Sequence, residues 1–537
     1  MNKSKLNSLK FGLAQINSIA GDLNKNTEKI IEFIHKAKEL KTDLLVFPEL
    51  ALTGSPPERC FFNQQFINNN IDCVKYIVKQ SRGIALVLGF VDYYNGSLFN
   101  AAAVVVDNKL IAIVHKSHPS KLTPSEGLEY FNTGNGFLQT VIRGNDVEIA
   151  IGEDILDVPD IMQTSAEMLP RLLININASP NQIQDIYKLE DIYSRKAVSN
   201  RIFIACTNLV GSQDGLVFAG SSFILNDVGE TVARGEPFME DIIVADLCVK
   251  TLLPEKTTLP VNIAKQINSI DAVYKSLVLG IKDYVNKNGF SKVVLGLSGG
   301  IDSSMVAILS VDALGAENVT GVYMPSRYSS PESKADVEAL VSNIGIKLNV
   351  ISIEKAFCAF MDMLNLNIDN GIPGITEQNL QARVRANILY ALSNKFGWMV
   401  LCCSNKSESA TGYGTLYGDI AGGFAVLKNI YKTMVFELAN YRNSLTDGEI
   451  IPSNVITKEP SAELAPNQKD TDTLPPYDML DPILQAYMDR NISVNEIVDM
   501  GYNKEIVTRV ANLVDKNEYK RRQSPPGVFI ISGEVTN

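Results

Sequence analysis

The stretch Val293-Val294-Leu295-Gly296-Leu297-Ser298-Gly299-Gly300-Ile301-Asp302-Ser303-Ser304 holds the residue types of an anion site. Its apolar, β-branched opening predicts a buried parallel strand. Ser298-Gly299-Gly300 breaks that strand, and Met305 to Ala313 continues at helical spacing until Gly315 stops it. Backbone N–H groups and the positive end of the helix dipole then converge on one spot, and the glycines let a phosphate approach the backbone. The loop lacks the Gly-Lys-Ser/Thr ending of a Walker A motif, so it has no lysine of its own for a terminal phosphate. Asp302 stands beside the nest instead. Its carboxylate repels a phosphate unless a cation bridges the two, and Mg²⁺ is the natural bridge.

The elements that must position this loop alternate along the second half. Ile270, Val273, Tyr274, Leu277, Val278, Ile281 and Val285 mark one face of a helix that Ser269 caps and Gly289 ends. Val319–Tyr323, Leu348–Ile353 and Met399–Cys402 read as further strands, with helices over Pro331–Ile344 and Glu377–Phe396. Such alternation predicts a doubly wound parallel sheet whose ligands gather at the carboxyl ends of its strands, where Ser298, Pro325 and Cys403 fall.

The first half reads differently. Strands over Lys10–Ile16, Leu44–Phe47, Ile84–Phe90, Val147–Ile151, Leu172–Asn177, Ile202–Asn208, Phe218–Leu225 and Ile242–Leu247 join a hairpin of Asn100–Val106 and Leu110–Val114. Helices over Asn24–Leu40, Gln64–Gln80 and Lys188–Asn200 complete an α-β-β-α layering. Val249–Asn268 loses periodicity and carries two prolines. The expected division is therefore a domain over 1–255, a linker over 256–268 and a domain over 269–537. At 537 residues, with 45% apolar and 20% charged content, more than one core is expected. A net charge of −11 argues against nucleic-acid or anionic-membrane binding. No run reaches membrane-spanning length, and the start MNKSKLNSLKFG lacks a signal segment. Seven scattered cysteines without a CxxC pair, and only three histidines, argue for reduced thiols in a cytoplasm and against a zinc site.

The loop at 298–304 resembles the pyrophosphatase loop of ATP-dependent adenylating enzymes, which makes ATP the expected ligand. Phe47-Pro48-Glu49-Leu50, His115-Lys116 with Tyr130-Phe131, Gly152-Glu153-Asp154-Ile155 and Asn177-Ala178-Ser179-Pro180 resemble the nitrilase-like amidase superfamily. That resemblance implies a Glu that takes a thiol proton, a Cys that attacks an amide carbonyl and a Lys that steadies the oxyanion. Glu49 and Lys116 match the Glu and the Lys. The nucleophile's position holds Gly152, which has no side chain, so no acyl-enzyme can form there. Ser179 matches one glutamine-site position; Leu122 stands where the family has an aromatic, and Asp185 where it has a Lys. Cys60, Cys73, Cys206 and Cys248 all lie outside the motif, and a displaced nucleophile among them stays open.

Gln378-Asn379-Leu380-Gln381-Ala382-Arg383, Ser404-Asn405-Lys406-Ser407-Glu408, the run Tyr413–Gly423, Lys458–Leu464, Leu474–Asp478 and Lys520–Gly527 resemble NAD synthetase. With the amidase-like half, nearly the whole chain resembles the glutamine-dependent, two-domain type. The resemblance implies a nitrilase-like sandwich followed by an adenine nucleotide alpha hydrolase-like sheet. It implies ATP-dependent amidation of deamido-NAD through an acyl-adenylate, with release of AMP and pyrophosphate. Gly296, Leu297, Ser298, Gly299, Gly300, Ile301, Asp302, Ser303 and Ser304, with Cys403, Lys432 and Ser461, then bind ATP. Asp302 and Glu408 ligate Mg²⁺; Asn379, Glu408, Asp419 and Lys520 contact deamido-NAD. Cys403 stands where a Thr is usual and exchanges a hydroxyl donor for a weak thiol donor. The residues after Gly527, VFIISGEVTN, lack the basic tail of the type. Read singly, Lys432 also fits a solvated helix lysine, Asp419 a turn residue and Lys520 an exposed basic run. A homo-oligomer is implied as well. Rival readings are a fully glutamine-using enzyme with a displaced nucleophile, and a related ligase of nicotinate mononucleotide over a scaffold first half. The expectation is that ammonia, not glutamine, is used directly.

Overall fold

The computed structural model describes residues 9–55, 60, 63–118, 131–157, 172–180, 186–247, 263–366, 373–446 and 448–529. Contacts divide the chain into two compact units, the first built chiefly from the residues up to Ile267 and the second chiefly from Asn268 onward. Most of the stretch 256–268 lies outside the described residues.

The first unit holds two six-stranded sheets. Its strands are β1 (Leu9–Gln15), β2 (Leu44–Val46), β3 (Ala85–Tyr94), β4 (Ser97–Val106), β5 (Lys109–His115), β6 (Phe137–Ile142), β7 (Asn145–Ile151), β8 (Leu172–Asn177), β9 (Phe203–Asn208), β10 (Val210–Gln213), β11 (Leu216–Ala219), β12 (Phe223–Leu225), β13 (Thr231–Arg234) and β14 (Asp241–Leu247). The sheet orders are β14-β1-β2-β3-β4-β5 and β13-β12-β9-β8-β7-β6. Alternation decides which way each strand faces. Leu172, Ile174 and Ile176 of β8 point into a core shared with Phe11, Leu13, Val46, Val87 and Val104 of the other sheet. Leu173 instead joins Ile204, Cys206, Tyr193 and Ala197 in a second cluster, under α3 (Lys188–Asn200). With α1 (Leu23–Glu39) and α2 (Gln64–Gln80) on the first sheet's side, the layers run α-β-β-α.

One expectation for this unit changes, and some strands are new. The run Phe218–Leu225 is not one strand, because Gly220 and Ser221 take left-handed backbone at φ +68° and +51° and separate β11 from β12. β6 and β13, half-exposed and without strict alternation, were not legible from periodicity.

The second unit holds β15 (Val293–Leu297), β16 (Val319–Tyr323), β17 (Lys347–Val350), β18 (Met399–Cys402) and β19 (Phe424–Ala425), all parallel. Their order, β17-β16-β15-β18-β19, reverses direction between β15 and β18. A parallel sheet opens a crevice at such a switch point, outside the carboxyl ends of the two strands. Its helices include α4 (Ser269–Lys287), α5 (Ile301–Leu314), α6 (Pro331–Ile344), α7 (Glu354–Met363), α8 (Ile375–Phe396), α9 (Lys406–Thr411) and α10 (Lys432–Ser444), followed, among the described residues, by five more up to Arg521. Val384, Ile388 and Leu389 of α8 pack with Val294, Val322 and Val400. Asn268, not Ser269, caps α4, its side chain accepting from the Asp271 N–H at 2.9 Å. α5 starts at Ile301, a turn before the apolar spacing shows it, because the loop glycine Gly300 serves as its cap. The strand expected over Leu348–Ile353 ends at Val350. Among the described residues, no helix is long and apolar enough to cross a membrane.

Candidate active site

At the switch point of the second unit, Gly296 and Leu297 close β15 and the glycine loop follows. Gly299 sits at φ +82°, and a Cβ there would come within 2.6 Å of the Ser333 carbonyl oxygen, so only glycine fits. The Gly300 N–H donates to Ser298 Oγ at 3.2 Å, while the Ser303 and Ser304 hydroxyls donate to the Gly300 carbonyl at 3.1 and 2.9 Å. No side chain caps α5, which leaves its first N–H groups for another acceptor.

Asp302, in the first turn of α5, pairs with Lys432 and accepts from Asn405 Nδ2 at 3.0 Å. Asn405 follows β18, and its amide oxygen caps α9 by accepting from the Glu408 N–H at 3.0 Å. One amide therefore sets the start of α9 and ties it to α5. Lys432 Nζ lies 3.5 Å from Glu408 Oε1 and 5.4 Å from the ring centre of Tyr477. Burial and then the Asp302 charge push the Glu408 carboxyl up to about 8. Burial works against the Lys432 charge, but Asp302 and Glu408 outweigh it and hold the ammonium well above its usual range. Two carboxylates aimed at one cation, beside a phosphate-sized nest, are a donor set that suits Mg²⁺ shared with phosphate oxygens. Among the described residues, no cluster of three or more His, Cys, Asp or Glu side chains is poised for a metal.

Around this centre lies a second group. Asp419 Oδ1 accepts from the Thr415 N–H at 2.8 Å, and Asn379 Oδ1 accepts from the Thr415 hydroxyl at 2.8 Å. Lys520 Nζ donates to the Gly412 and Gly414 carbonyls at 2.8 and 2.9 Å. These three side chains, distant in sequence, thus shape one loop, Gly412–Asp419, and Lys520 shares a small cavity with Glu408. Burial raises the Asp419 carboxyl and lowers the Lys520 ammonium. Cys403 Sγ reaches the Gly296 carbonyl only at 4.0 Å, and burial pushes its thiol well up. Ser461 does not touch the glycine loop; its hydroxyl donates to the Gln468 carbonyl and accepts from the Glu463 N–H at 3.1 Å. Glu463 in turn accepts from Ser330 and Ser333 and pairs with Lys458 at 3.2 Å, which sets this loop beside Gly299. The reach of Asn405, Tyr477 and Glu463 was missed from the sequence. Only the Asn-x-x-Glu capping signature of Asn405 was there to be read.

The first unit has a polar site of its own. Glu49 follows β2, Lys116 follows β5, Gly152 follows β7 and Ala178 follows β8. The fully buried Lys116 ammonium stands 2.9 Å from Glu49 Oε1 and 2.7 Å from Glu153 Oε2. Glu49 also accepts from Asn100 Nδ2 at 2.6 Å and from the Ala178 N–H at 3.1 Å. Burial opposes the Lys116 charge, yet the two carboxylates raise its pKa above the ordinary value; burial also raises Glu49, against the pull of Lys116. Gly152 takes φ +57°, and a Cβ there would lie 2.5 Å from Lys116 Nζ and 3.2 Å from Glu49 Oε2. The ammonium occupies the space a side chain at 152 would need. Cys206 lies on β9 in register with Asn175, among Tyr193 and Phe223, and burial pushes its thiol up to about 12. Cys60 stands beside Gly21. The Ser179 N–H donates to Asn208 Oδ1 at 3.0 Å. Leu122, Asp185 and Cys248 lie outside the described residues.

A family model described as NAD synthase matches residues 273–524, and one described as carbon-nitrogen hydrolase matches residues 10–252. The glutamine-dependent NAD(+) synthetase of Aquifex aeolicus is 40% identical over 98% of this chain and 97% of its own length. That of Thermotoga maritima is 39% identical over 97% and 96%. A solved structure of glutamine-dependent NAD+ synthetase from Acinetobacter baumannii in complex with adenosine diphosphate aligns with a TM-score of 0.79 at 36% identity, over 98% of this chain and 97% of that one.

Proposed function

Because the chain belongs to the glutamine-dependent NAD(+) synthetases, which are carbon–nitrogen ligases, we propose that it amidates deamido-NAD to NAD with ATP and takes its nitrogen as ammonia. A carboxylate resists nucleophiles and must first gain a leaving group. Its oxygen attacks the α-phosphorus of ATP, the bond to the β-phosphate oxygen breaks, and pyrophosphate departs with the electron pair. Ammonia then adds to the acyl carbon and gives up a proton to solvent, and the C–O bond breaks as AMP leaves with its electron pair.

The observation that carries this reading is the convergence of Asp302, Glu408 and Lys432 beside the glycine loop at the switch point. Loop N–H groups and the start of α5 hold the departing pyrophosphate. Lys432 stabilises its charge. Asp302 and Glu408 would hold Mg²⁺, which when bound neutralises charge on the phosphates. Asn379, Asp419 and Lys520, through the Gly412–Asp419 loop, place the dinucleotide; Gly296 and Cys403 border the nucleotide at the strand ends, and Ser461 steadies the loop beside Ser333. The division into an amidase-like half, a linker over 256–268 and a ligase half, the cytoplasmic setting and the homo-oligomer belong to the same proposal.

The nitrogen source follows from Gly152. Glu49 and Lys116 remain as a base and an oxyanion partner with no thiol at position 152, and Cys206 is too buried and too weakly acidic to replace it. Purified protein given ATP, Mg²⁺ and deamido-NAD should form NAD with ammonium chloride and little with glutamine, and should release AMP. Equal rates from both nitrogen sources would contradict the ammonia assignment; ADP in place of AMP, or full activity in Asp302→Ala, would contradict the adenylation.

A further inference from the structure

The run Lys520–Gly527 has a second half that the chemistry above leaves unused. Ser524 to Val528 lie against the segment that joins β19 to α10 and offer it a row of carbonyls. The Pro525 carbonyl accepts from Lys428 Nζ at 2.7 Å, and the Ser524 carbonyl lies 3.5 Å from the same ammonium. The Pro526 carbonyl accepts from the Ala425 N–H at 2.8 Å, and the Val528 carbonyl from Asn429 Nδ2 at 2.6 Å. Neither proline has an N–H of its own, so this stretch meets its partners as an acceptor. Two close approaches pin it. A Cβ at Gly527 would stand 2.3 Å from the Ala425 carbonyl oxygen, and one at Gly280 of α4 would stand 2.3 Å from Val528 Cγ2. Val528 itself is buried.

The segment held in this way ends in Lys432. β19 is two residues long and sits at the edge of the sheet. Beyond it the chain runs in turns, with the Lys428 N–H on the Ala425 carbonyl at 3.3 Å and the Ile430 N–H on the Leu427 carbonyl at 3.0 Å. The Ile430 carbonyl then accepts from the Lys406 N–H at 2.8 Å, and the Lys432 N–H donates to Ser407 Oγ at 2.9 Å. One stretch of turns thus delivers the cation that meets Asp302 and Glu408. Its upstream part is fixed by the carbonyl row and its downstream part by the start of α9. A reacting group misplaced by about 1 Å loses on the order of 10²-fold in rate, so what fixes these turns matters to the chemistry.

We propose that Ser524–Val528 is a positioning strap of the ligase, holding Ala425, Lys428 and Asn429 so that Lys432 reaches the phosphates beside Asp302 and Glu408, an inference that rests on the adenylation reading. Lys428 and Asn429 act through Lys432 and not on the substrates.

Lys428→Met, Lys428→Arg and Asn429→Ala would be assayed for NAD formation with ammonium. Equilibrium binding would be measured for deamido-NAD and, with Mg²⁺, for an ATP analogue with a methylene between the α- and β-phosphorus. Lys428→Met should weaken the analogue about tenfold and lower kcat at least as much, while deamido-NAD binding stays within about twofold. Lys428→Arg keeps a donor for the Pro525 carbonyl and should recover most of both. Asn429→Ala should repeat the pattern at smaller size, and it carries the test if Lys428→Met does not fold. Analogue binding is then compared in Lys432→Ala with and without the strap variant. A strap that acts through Lys432 adds less than about twofold there; losses that multiply overturn the proposal. A Lys428→Met variant within about threefold of an active wild type also overturns it, and it alone. So does a variant that loses deamido-NAD binding together with the analogue, the mark of a general structural role. A wild type that forms no NAD overturns the adenylation reading and this proposal with it.

Discussion

Buried Glu49 and Lys116 form an ion pair that the exposed Glu153 carboxylate joins, so that one ammonium answers two carboxylates. Removing it should be expensive. Lys116→Met should cost about 3–5 kcal/mol in urea unfolding, because it leaves the buried Glu49 carboxylate without its cation. The cost depends on pH with a definite sign. Glu49 already titrates above its ordinary value of 4.5, and losing Lys116 raises it further. A carboxyl whose folded pKa is raised loses stability as pH climbs past the unfolded value, so the deficit of the variant should grow from pH 4.5 upward and shrink below it. At this scale the sequence brought forward Asp302 and Glu408, each inside a long motif, and Lys432, which joins them in space. It was silent on the hydrogen bond from Asn405 to Asp302, because a bond across 103 residues leaves no local periodicity.

Among the elements, the junction of β15 and α5 is the most constrained. Gly299→Ala would combine left-handed backbone with a Cβ against the Ser333 carbonyl, which is backbone and cannot swing aside. Ligase activity should fall on the order of 10²-fold as the loop N–H groups are displaced, and ATP titrations should show the loss in binding. Helices such as α2 and α3, and short buried strands such as β8, β16 and β18, were legible to the residue. Boundaries set by a cap or a left-handed turn were not. Asn268 and Ser269 are both good caps by type, and only geometry separates them. Gly220 with Ser221 interrupts a run whose composition favours a strand.

The molecule as a whole is two compact units, each with its own core. The layer pattern of each was readable, since alternating strands and helices signal a parallel sheet and paired strand runs a sandwich. The strand order was not, because hydrophobic patterning carries no record of which strands become neighbours. Independent cores predict separable stability. An ATP analogue with Mg²⁺ at a hundredfold excess over its Kd should raise the unfolding free energy of the nucleotide-binding unit by about 2.7 kcal/mol and leave the other transition in place, as read by intrinsic fluorescence and amide exchange. The ammonium beside Gly152 has a consequence for redesign: a thiol introduced at 152 would stand on left-handed backbone with its Cβ 2.5 Å from Lys116 Nζ, so the lysine tip must leave its place beside Glu49 before the new side chain fits.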